Sequence, residues 1–85
     1  MAREVRIIRA IPLWVLRGYL EQAGGRVLDD AQVAGDGWRA TLEQVEDYAI
    51  GSLRVGQVRL VLDGDAQALA RIEADLAPRL LRAGG

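Results

Sequence analysis

The stretch GDGWRATLE, residues 35–43, joins a turn signal to a regular alternation of apolar and polar residues. Asp36-Gly37 favours a tight turn, because glycine readily adopts the positive φ that such turns require. The apolar positions that follow are Trp38, Ala40 and Leu42. A period of two residues is typical of a strand with one buried face, so this stretch predicts a β-hairpin in an antiparallel sheet.

A second hairpin is predicted downstream, within residues 51–64. Gly56 indicates its turn, and we take Val55 and Gly56 as the two loop residues. This register pairs Leu53 with Val58 on the inner face of the sheet and leaves polar side chains on the outer face. The outer set, with the matching positions of the first hairpin, is Arg39, Thr41, Ser52, Arg54, Gln57 and Arg59, beside the apolar Ile50 and Val61.

Amphipathic helices are predicted on both sides of the hairpins. Pro12 begins the first and Gly24-Gly25 ends it, with an apolar stripe at Leu13, Leu16, Leu20 and Ala23. Asp65 is a suitable N-cap for the second, whose stripe is Leu69, Ile72, Leu76 and Leu80. Pro78 removes a backbone hydrogen bond from the second helix, so we expect a kink or a break there.

A short β-branched run at residues 4–10 predicts one more strand, ahead of the first helix. We therefore expect residues 1–85 to form a single α+β domain in the order β-α-β(3–4)-α. The expected architecture is a two-layer sandwich, in which two helices cover one face of an antiparallel sheet. The other sheet face would be open to water or to a partner.

The composition excludes several kinds of chemistry. The chain has no Cys, no His and no Lys, and all 11 of its cationic side chains are Arg. Zinc sites built from Cys and His, a Cys nucleophile, a His base and a Lys Schiff base are therefore excluded within the chain. The acidic pairs lie in predicted turns, where Asp has a backbone role. We expect no catalytic activity, no metal and no cofactor.

Charge and hydropathy limit the partners and the compartment. The formal net charge of −1 gives no long-range attraction to nucleic acid or anionic lipid, so neither is expected as a partner. The amino-terminal stretch is interrupted by Arg3, Arg6 and Arg9 and lacks a long apolar run. We therefore expect a cytoplasmic protein without a membrane segment.

Two blocks, IPLWVLRGYLEQAGG and VEDYAIGSLRVGQVRLVLDG, resemble the small C-terminal domain of MoaD-related proteins, a domain without an assigned activity. In that family the domain follows a β-grasp domain similar to the sulfur-carrying subunit of molybdopterin synthase. The matching positions are Pro12, Trp14, Leu16, Tyr19, Leu20, Glu21, Gly24, Gly25, Gly51, Ser52, Leu53, Gln57, Arg59 and Gly64.

The resemblance implies a fold like that of TATA-binding protein, β-α-β(4)-α, which agrees with the element order expected from the residues. It also implies an accessory or binding role beside a sulfur-carrier or molybdenum cofactor protein. Although TATA-binding protein binds DNA on its open sheet face, a shared fold does not transfer function, and the near-zero charge argues against it here.

The predicted open face supports three interpretations. Arg39, Arg54 and Arg59, assisted by Ser52 and Gln57, would form a candidate site for an anionic or phosphorylated ligand, because guanidinium groups match phosphate and carboxylate geometry. Alternatively, the same face is solvated and paired internally, with Glu43 as a nearby carboxylate. A third interpretation is a homodimer through this face, since Ile50 and Val61 are apolar.

The terminal stretch RLLRAGG, residues 79–85, is similar to the Gly-Gly tails of sulfur carriers. The leucine stripe of the second helix runs into it, and Arg79 and Arg82 suit a helix carboxyl end. We therefore predict that Gly84-Gly85 ends a helix, and chemical activation of the tail is the alternative.

Overall fold

The structure is a computed structural model that describes the backbone of residues 1–84 and the side-chain environments of residues 1–81. Within that part the chain forms five strands and two helices. Their bounds are β1 Ala2–Arg9, α1 Leu13–Gln22, β2 Arg26–Asp29, β3 Gln32–Gly35, β4 Trp38–Ile50, β5 Leu53–Gly64 and α2 Ala66–Gly84.

All five strands belong to one antiparallel sheet with the order β1-β5-β4-β3-β2. The first strand, which is separated from the others by α1, pairs with β5 along its whole length and forms one edge of the sheet. The predicted α+β class and antiparallel sheet are confirmed, and four strands follow α1.

One face of the sheet supplies the hydrophobic core. Its buried side chains alternate along the strands at Val33, Ala40, Leu42, Val58, Leu60 and Leu62. They form one cluster with the predicted helix stripes, in which Leu16, Leu20, Leu69, Ile72 and Leu76 are buried. The opposite face, called the open face below, carries the residues between these positions.

The predicted helix ends agree with the structure. Pro12 is the N-cap of α1, and its carbonyl accepts hydrogen bonds from Val15 and Leu16. Gly24, with φ +105°, follows the last turn of α1. At α2, the Asp65 carboxylate accepts hydrogen bonds from two free backbone amides, those of Gln67 and Ala68. Both helices are therefore positioned by local sequence signals.

Pro78 does not break α2, so the predicted break is wrong, whereas the predicted kink stays a prediction. The helix continues from Ala66 to Gly84 with Pro78 inside it. Pro78 and Ala74, one turn earlier, are both exposed. Water can hydrate the Ala74 carbonyl that lacks an amide donor, which lowers the cost of the missing hydrogen bond.

The predicted register of the second hairpin is also wrong. The turn is at Gly51-Ser52, with Ile50 opposite Leu53, and not at Val55-Gly56. Gly51 has φ +58°, which fits the first central position of a two-residue hairpin turn. Gly56 instead lies inside β5, where its carbonyl accepts a hydrogen bond from the Ala10 amide at the end of β1.

A bulge in β4 lies near the middle of this long hairpin. Val45 pairs with Gln57 and Tyr48 pairs with Val55, so β4 has one more residue than β5 between these pairs. Beyond the bulge, residues 48–55 form an exposed arm that contributes to the 41 Å length of the molecule. The extra residue keeps Tyr48 and Ile50 on the open face.

Trp38 fills a slot between two glycines. A Cβ atom on Gly35 would collide with the indole ring, and one on Gly25 would lie 2.8 Å from Cη2 of the same ring. Gly25 follows α1 and Gly35 ends β3, so the buried indole joins two separate parts of the chain. The slot requires glycine on both sides because close packing leaves no room for a methyl group.

Candidate interaction surface on the open face

The structure brings together only some of the predicted site residues. Arg39, Gln57 and Arg59 lie on the open face of β4 and β5. Ser52 lies in the turn at the tip of the arm, away from them. Arg54 belongs to the alternate set of β5 that includes Val58 and Leu60, and so it lies on the opposite face. This separation follows directly from the corrected turn position.

Arg59 is already paired with a carboxylate. Its guanidinium donates two hydrogen bonds to Oε1 of Glu43, the residue directly opposite on β4, and the Nε bond is 3.0 Å long. Both side chains are about half exposed. The alternative expected from the sequence is that charges of this face pair with one another, with Glu43 as the nearby carboxylate. This alternative is confirmed for Arg59.

Gln57 is a connecting residue of the sheet. Its amide oxygen accepts a hydrogen bond of 2.9 Å from Nε of Arg9, and its amide nitrogen donates one of 2.9 Å to the Glu46 carbonyl. The backbone carbonyl of Gln57 accepts a further bond from the side chain of Gln44. Gln57 therefore links the bulge of β4 to strand β1, and both polar atoms of its side-chain amide are hydrogen-bonded.

Arg9 also contacts the arm. Its guanidinium carbon lies 3.9 Å from the centroid of the Tyr48 ring, which is a cation–π geometry. Tyr48 is on the open face just beyond the bulge. The contact joins the edge strand β1 to the base of the arm and helps to keep the apolar groups of both on one surface.

Exposed apolar side chains lie in two groups on the open face, one on β1 and β5 and one on the arm. Val5 and Ile7 of β1 are 56% and 51% exposed, and Val61 lies beside Val5 in the register. The arm adds Ile50 and Leu53, which are 55% and 67% exposed. Arg59 and Gln57 lie between these two groups on β5. Exposed apolar groups bordered by charged and polar residues are typical of a surface that contacts another protein.

A row of charged residues crosses the open face at the end distant from the arm. Asp63 accepts a hydrogen bond of 2.7 Å from Nε of Arg3, and Arg39 is the cross-strand neighbour of Asp63 on its other side. Ala34 separates Arg39 from Arg26. Within residues 1–81 neither Arg26 nor Arg39 has a carboxylate at ion-pair distance.

Comparison with protein families gives a match to the family described as archaeal MoaD-like protein, over residues 4–85. The chain belongs to this family. A search of curated proteins found no match. The sequence resemblance to MoaD-related proteins is thus confirmed for nearly the whole chain, and the open face is a surface of a MoaD-like protein.

The tail of this MoaD-like protein is described only in part. Helix α2 reaches Gly84, which agrees with the predicted helix in this region. Ahead of it, Arg79 pairs with Asp75 at 3.4 Å and also contacts the side chain of Gln22 from α1. The prediction for Gly85 lies outside the described residues.

Two further features of the MoaD-like chain bear on the kind of site. Over the described residues, no group of three or more metal-binding side chains comes together. In the same part, neither helix combines the length and apolar character that crossing a membrane requires.

Sequence reasoning locates Ile50 and Val61 on this face but misses Val5 and Ile7. A signal for them exists, because Val5 and Ile7 alternate with Glu4, Arg6 and Ile8. The β-branched character of residues 4–10 predicts a strand, but an alternating pattern with apolar residues on both faces does not reveal which face is covered.

Proposed function

We propose that this MoaD-like protein is a non-enzymatic accessory domain of a sulfur-carrier or molybdenum cofactor pathway, and that it binds a pathway protein through its open face. The observation that carries the proposal is the exposure of two apolar groups on this face, Val5 with Ile7 and Ile50 with Leu53. Membership of the MoaD-like family supports the pathway.

The charges on the open face support a protein partner. Arg59 with Glu43 and Arg3 with Asp63 are internally neutralised pairs around the apolar residues. Protein interfaces commonly have an apolar centre and a polar rim, and rim charges select a partner more than they add affinity. The lack of Cys, His and Lys in the sequence supports binding over catalysis.

The arrangement of the layers belongs to the same proposal. The element order β-α-β(4)-α and the single core shared by one sheet face and both helices support a two-layer sandwich of the TATA-binding-protein type. In such a sandwich the second sheet face is free to bind a macromolecule. The net charge of −1 favours protein over nucleic acid as that macromolecule.

Val61→Glu is expected to weaken partner binding at least about tenfold, because it places a charge directly beside Val5 in the apolar group of β1 and β5. The measurement is isothermal titration of the purified protein against a β-grasp sulfur carrier and against its adenylating enzyme. Trp14→Glu is the matched control, since Trp14 lies on α1, is 67% exposed and is distant from the open face.

Circular dichroism must show that both variants are folded. The proposal is contradicted if the unmodified protein binds neither candidate at about 100 μM, a concentration well above the Kd of specific interfaces. It is also contradicted if Val61→Glu and Trp14→Glu bind equally well.

A second candidate function is binding of a phosphorylated ligand near Arg39. The observation that favours it is the pair of guanidinium groups of Arg26 and Arg39 on either side of Ala34, without a carboxylate at ion-pair distance in residues 1–81. The site differs from the predicted one, because Ser52 and Arg54 lie elsewhere and Arg59 is engaged by Glu43.

For this candidate, Arg39→Ala is expected to reduce phosphate-ester binding at least about fivefold, since a charge-assisted hydrogen bond is lost. Arg54→Ala, on the other face, is the matched control. Titration with pyrophosphate and with a panel of phosphorylated metabolites measures the effect. Equal affinities of the two variants, or no binding to the unmodified protein, would exclude an anion site at Arg39.

A further inference from the structure

The two edges of the sheet differ in their capacity to pair. Strand β2 has four residues and a register irregularity at Val27–Asp29, and such features protect an edge against further pairing. Strand β1 has eight residues in a regular register from Ala2 to Arg9. A long regular edge presents unpaired backbone groups, so β1 is the edge suited to adding a strand.

The outward backbone groups of β1 can be assigned. The Ala10 amide donates to the Gly56 carbonyl at 2.9 Å, so this peptide group faces β5. Because successive residues of a strand direct their N–H and C=O groups to alternate sides, the groups of Arg3, Val5, Ile7 and Arg9 face away from β5. These four residues form the free hydrogen-bonding edge.

We propose that two copies of the chain associate by antiparallel pairing of β1 with β1, about a twofold axis at Val5. Val5 then exchanges both backbone hydrogen bonds with Val5 of the second copy, and Arg3 does so with Ile7 of the second copy. The interface contains about six backbone hydrogen bonds.

Charge complementarity selects this register. With Val5 at the axis, Glu4 lies directly opposite Arg6 of the second copy, and symmetry forms the same pair again. These residues are in non-hydrogen-bonded positions, where cross-strand side chains are closest. The Arg6 guanidinium is 3.9 Å from Glu73 in its own chain and is about half exposed, so it remains available to the second copy.

The neighbouring registers lack this complementarity. Moving the axis to Glu4 sets Glu4 against Glu4, and moving it to Arg6 sets Arg6 against Arg6 and Arg3 against Arg9. Like charges directly opposite each other destabilise a strand pair. The sequence AREVRIIR at residues 2–9 is therefore self-complementary about one residue, Val5.

An apolar groove beside β1 adds to the interface. Its lining includes Ile7, Ile8 and Ile11 together with Ala77, Leu80 and Leu81 of α2. Leu81 is among the most exposed large apolar side chains of the described residues. A second copy paired on β1 lies next to this groove and shields it, which adds apolar burial to the backbone hydrogen bonds.

The paired form joins two sheets into one and sets two open faces side by side. It does not depend on the proposed function, because Val61 lies one strand away from the pairing edge. Val61→Glu is therefore expected to leave association unchanged while it weakens binding of a pathway partner. Failure of either proposal can be recognised separately.

Sedimentation velocity across about 1–500 μM tests the pairing, a range that covers the Kd of weak and moderate dimers. The unmodified protein is expected to shift from monomer to dimer within it. Glu4→Arg and Arg6→Glu should each weaken association at least about tenfold, because each sets two like-charged pairs opposite each other. An equimolar mixture of these two variants should associate again, since both cross-strand pairs between positions 4 and 6 of the mixed dimer are of opposite charge.

Val5→Pro tests the backbone part of the proposal. Proline removes the outward N–H of Val5, and an edge strand tolerates this because the bonds to β5 are kept. It should abolish association while circular dichroism shows a folded monomer, whereas Val5→Ala should retain association. A monomeric unmodified protein at about 500 μM, or equal association of the two charge variants and their mixture, would overturn the proposal.

Discussion

Gly64→Ala is expected to lower the free energy of unfolding by about 3 kcal/mol or more. Gly64 ends β5 with φ +152°, a region that other residues adopt only with strain. A Cβ atom there would collide with the Gly37 carbonyl oxygen and would lie 2.8 Å from Cα of Trp38. These are backbone atoms of the neighbouring strand and turn, so relief requires the strands to separate.

Chemical denaturation followed by circular dichroism measures this effect. Gly51→Ala is the matched control, because Gly51 also has positive φ but a Cβ atom added to it would have no neighbour within 4 Å. The control should lose only about 1–2 kcal/mol from conformational strain. Equal losses in the free energy of unfolding at the two positions would show that the clash with the Gly37 backbone does not destabilise the protein.

Leu60→Ala is expected to lower the free energy of unfolding by about 3 kcal/mol. Leu60 is fully buried at the centre of β5, opposite Leu42, and belongs to the core shared with both helices. Truncation removes apolar contacts and leaves a cavity that a rigid sheet cannot close.

The matched control for Leu60→Ala is Val61→Ala, one residue further along the same strand and on the open face. Val61 is only partly buried, so its truncation should cost less than about 1 kcal/mol. Urea titrations give the free energy of unfolding of each variant, and the difference between the two losses measures how much more the inner sheet face contributes to stability than the open face. A loss at Val61 as large as that at Leu60 would contradict the assignment of the faces.

Local signals in the sequence are sufficient for most of the fold. The Asp36-Gly37 turn, the glycines after α1 and the Asp65 cap each act within a few residues, so their effects can be predicted without knowledge of the rest of the chain. The leucine stripes of the helices are equally local, and their buried residues form the core.

The turn of the long hairpin is difficult to predict because two glycines compete for it. Gly56 lies where β1 ends, and Gly51 lies at the true turn. The bulge between Val45 and Tyr48 also disturbs the regular alternation that would have favoured Gly51. Bulges depend on pairing between strands, and a single sequence carries little information about such pairing.

The candidate surface is predictable only in part for the same reason. The sequence places Arg39, Gln57 and Arg59 on the correct face, whereas the positions of Arg54 and Ser52 depend on the turn. The pairing of Arg59 with Glu43 depends on the register of β4 against β5. The neighbours of β1 cannot be predicted, because it pairs with a strand about fifty residues later in the sequence.

The slot between Gly25 and Gly35 places Trp38 in an environment unlike that of Trp14, so the two tryptophans are distinct fluorescent reporters. Trp38 is enclosed in the slot, whereas Trp14 is exposed on α1. In a Trp14→Phe variant, emission would come from the enclosed indole of Trp38 alone. It would shift when the end of α1 separates from β3 and exposes this indole to water. In a Trp38→Phe variant, emission would respond instead to solvent and quenchers at the helix surface. Separation of α1 from β3 and binding or quenching at the exposed surface of α1 can therefore be followed independently, without an added dye.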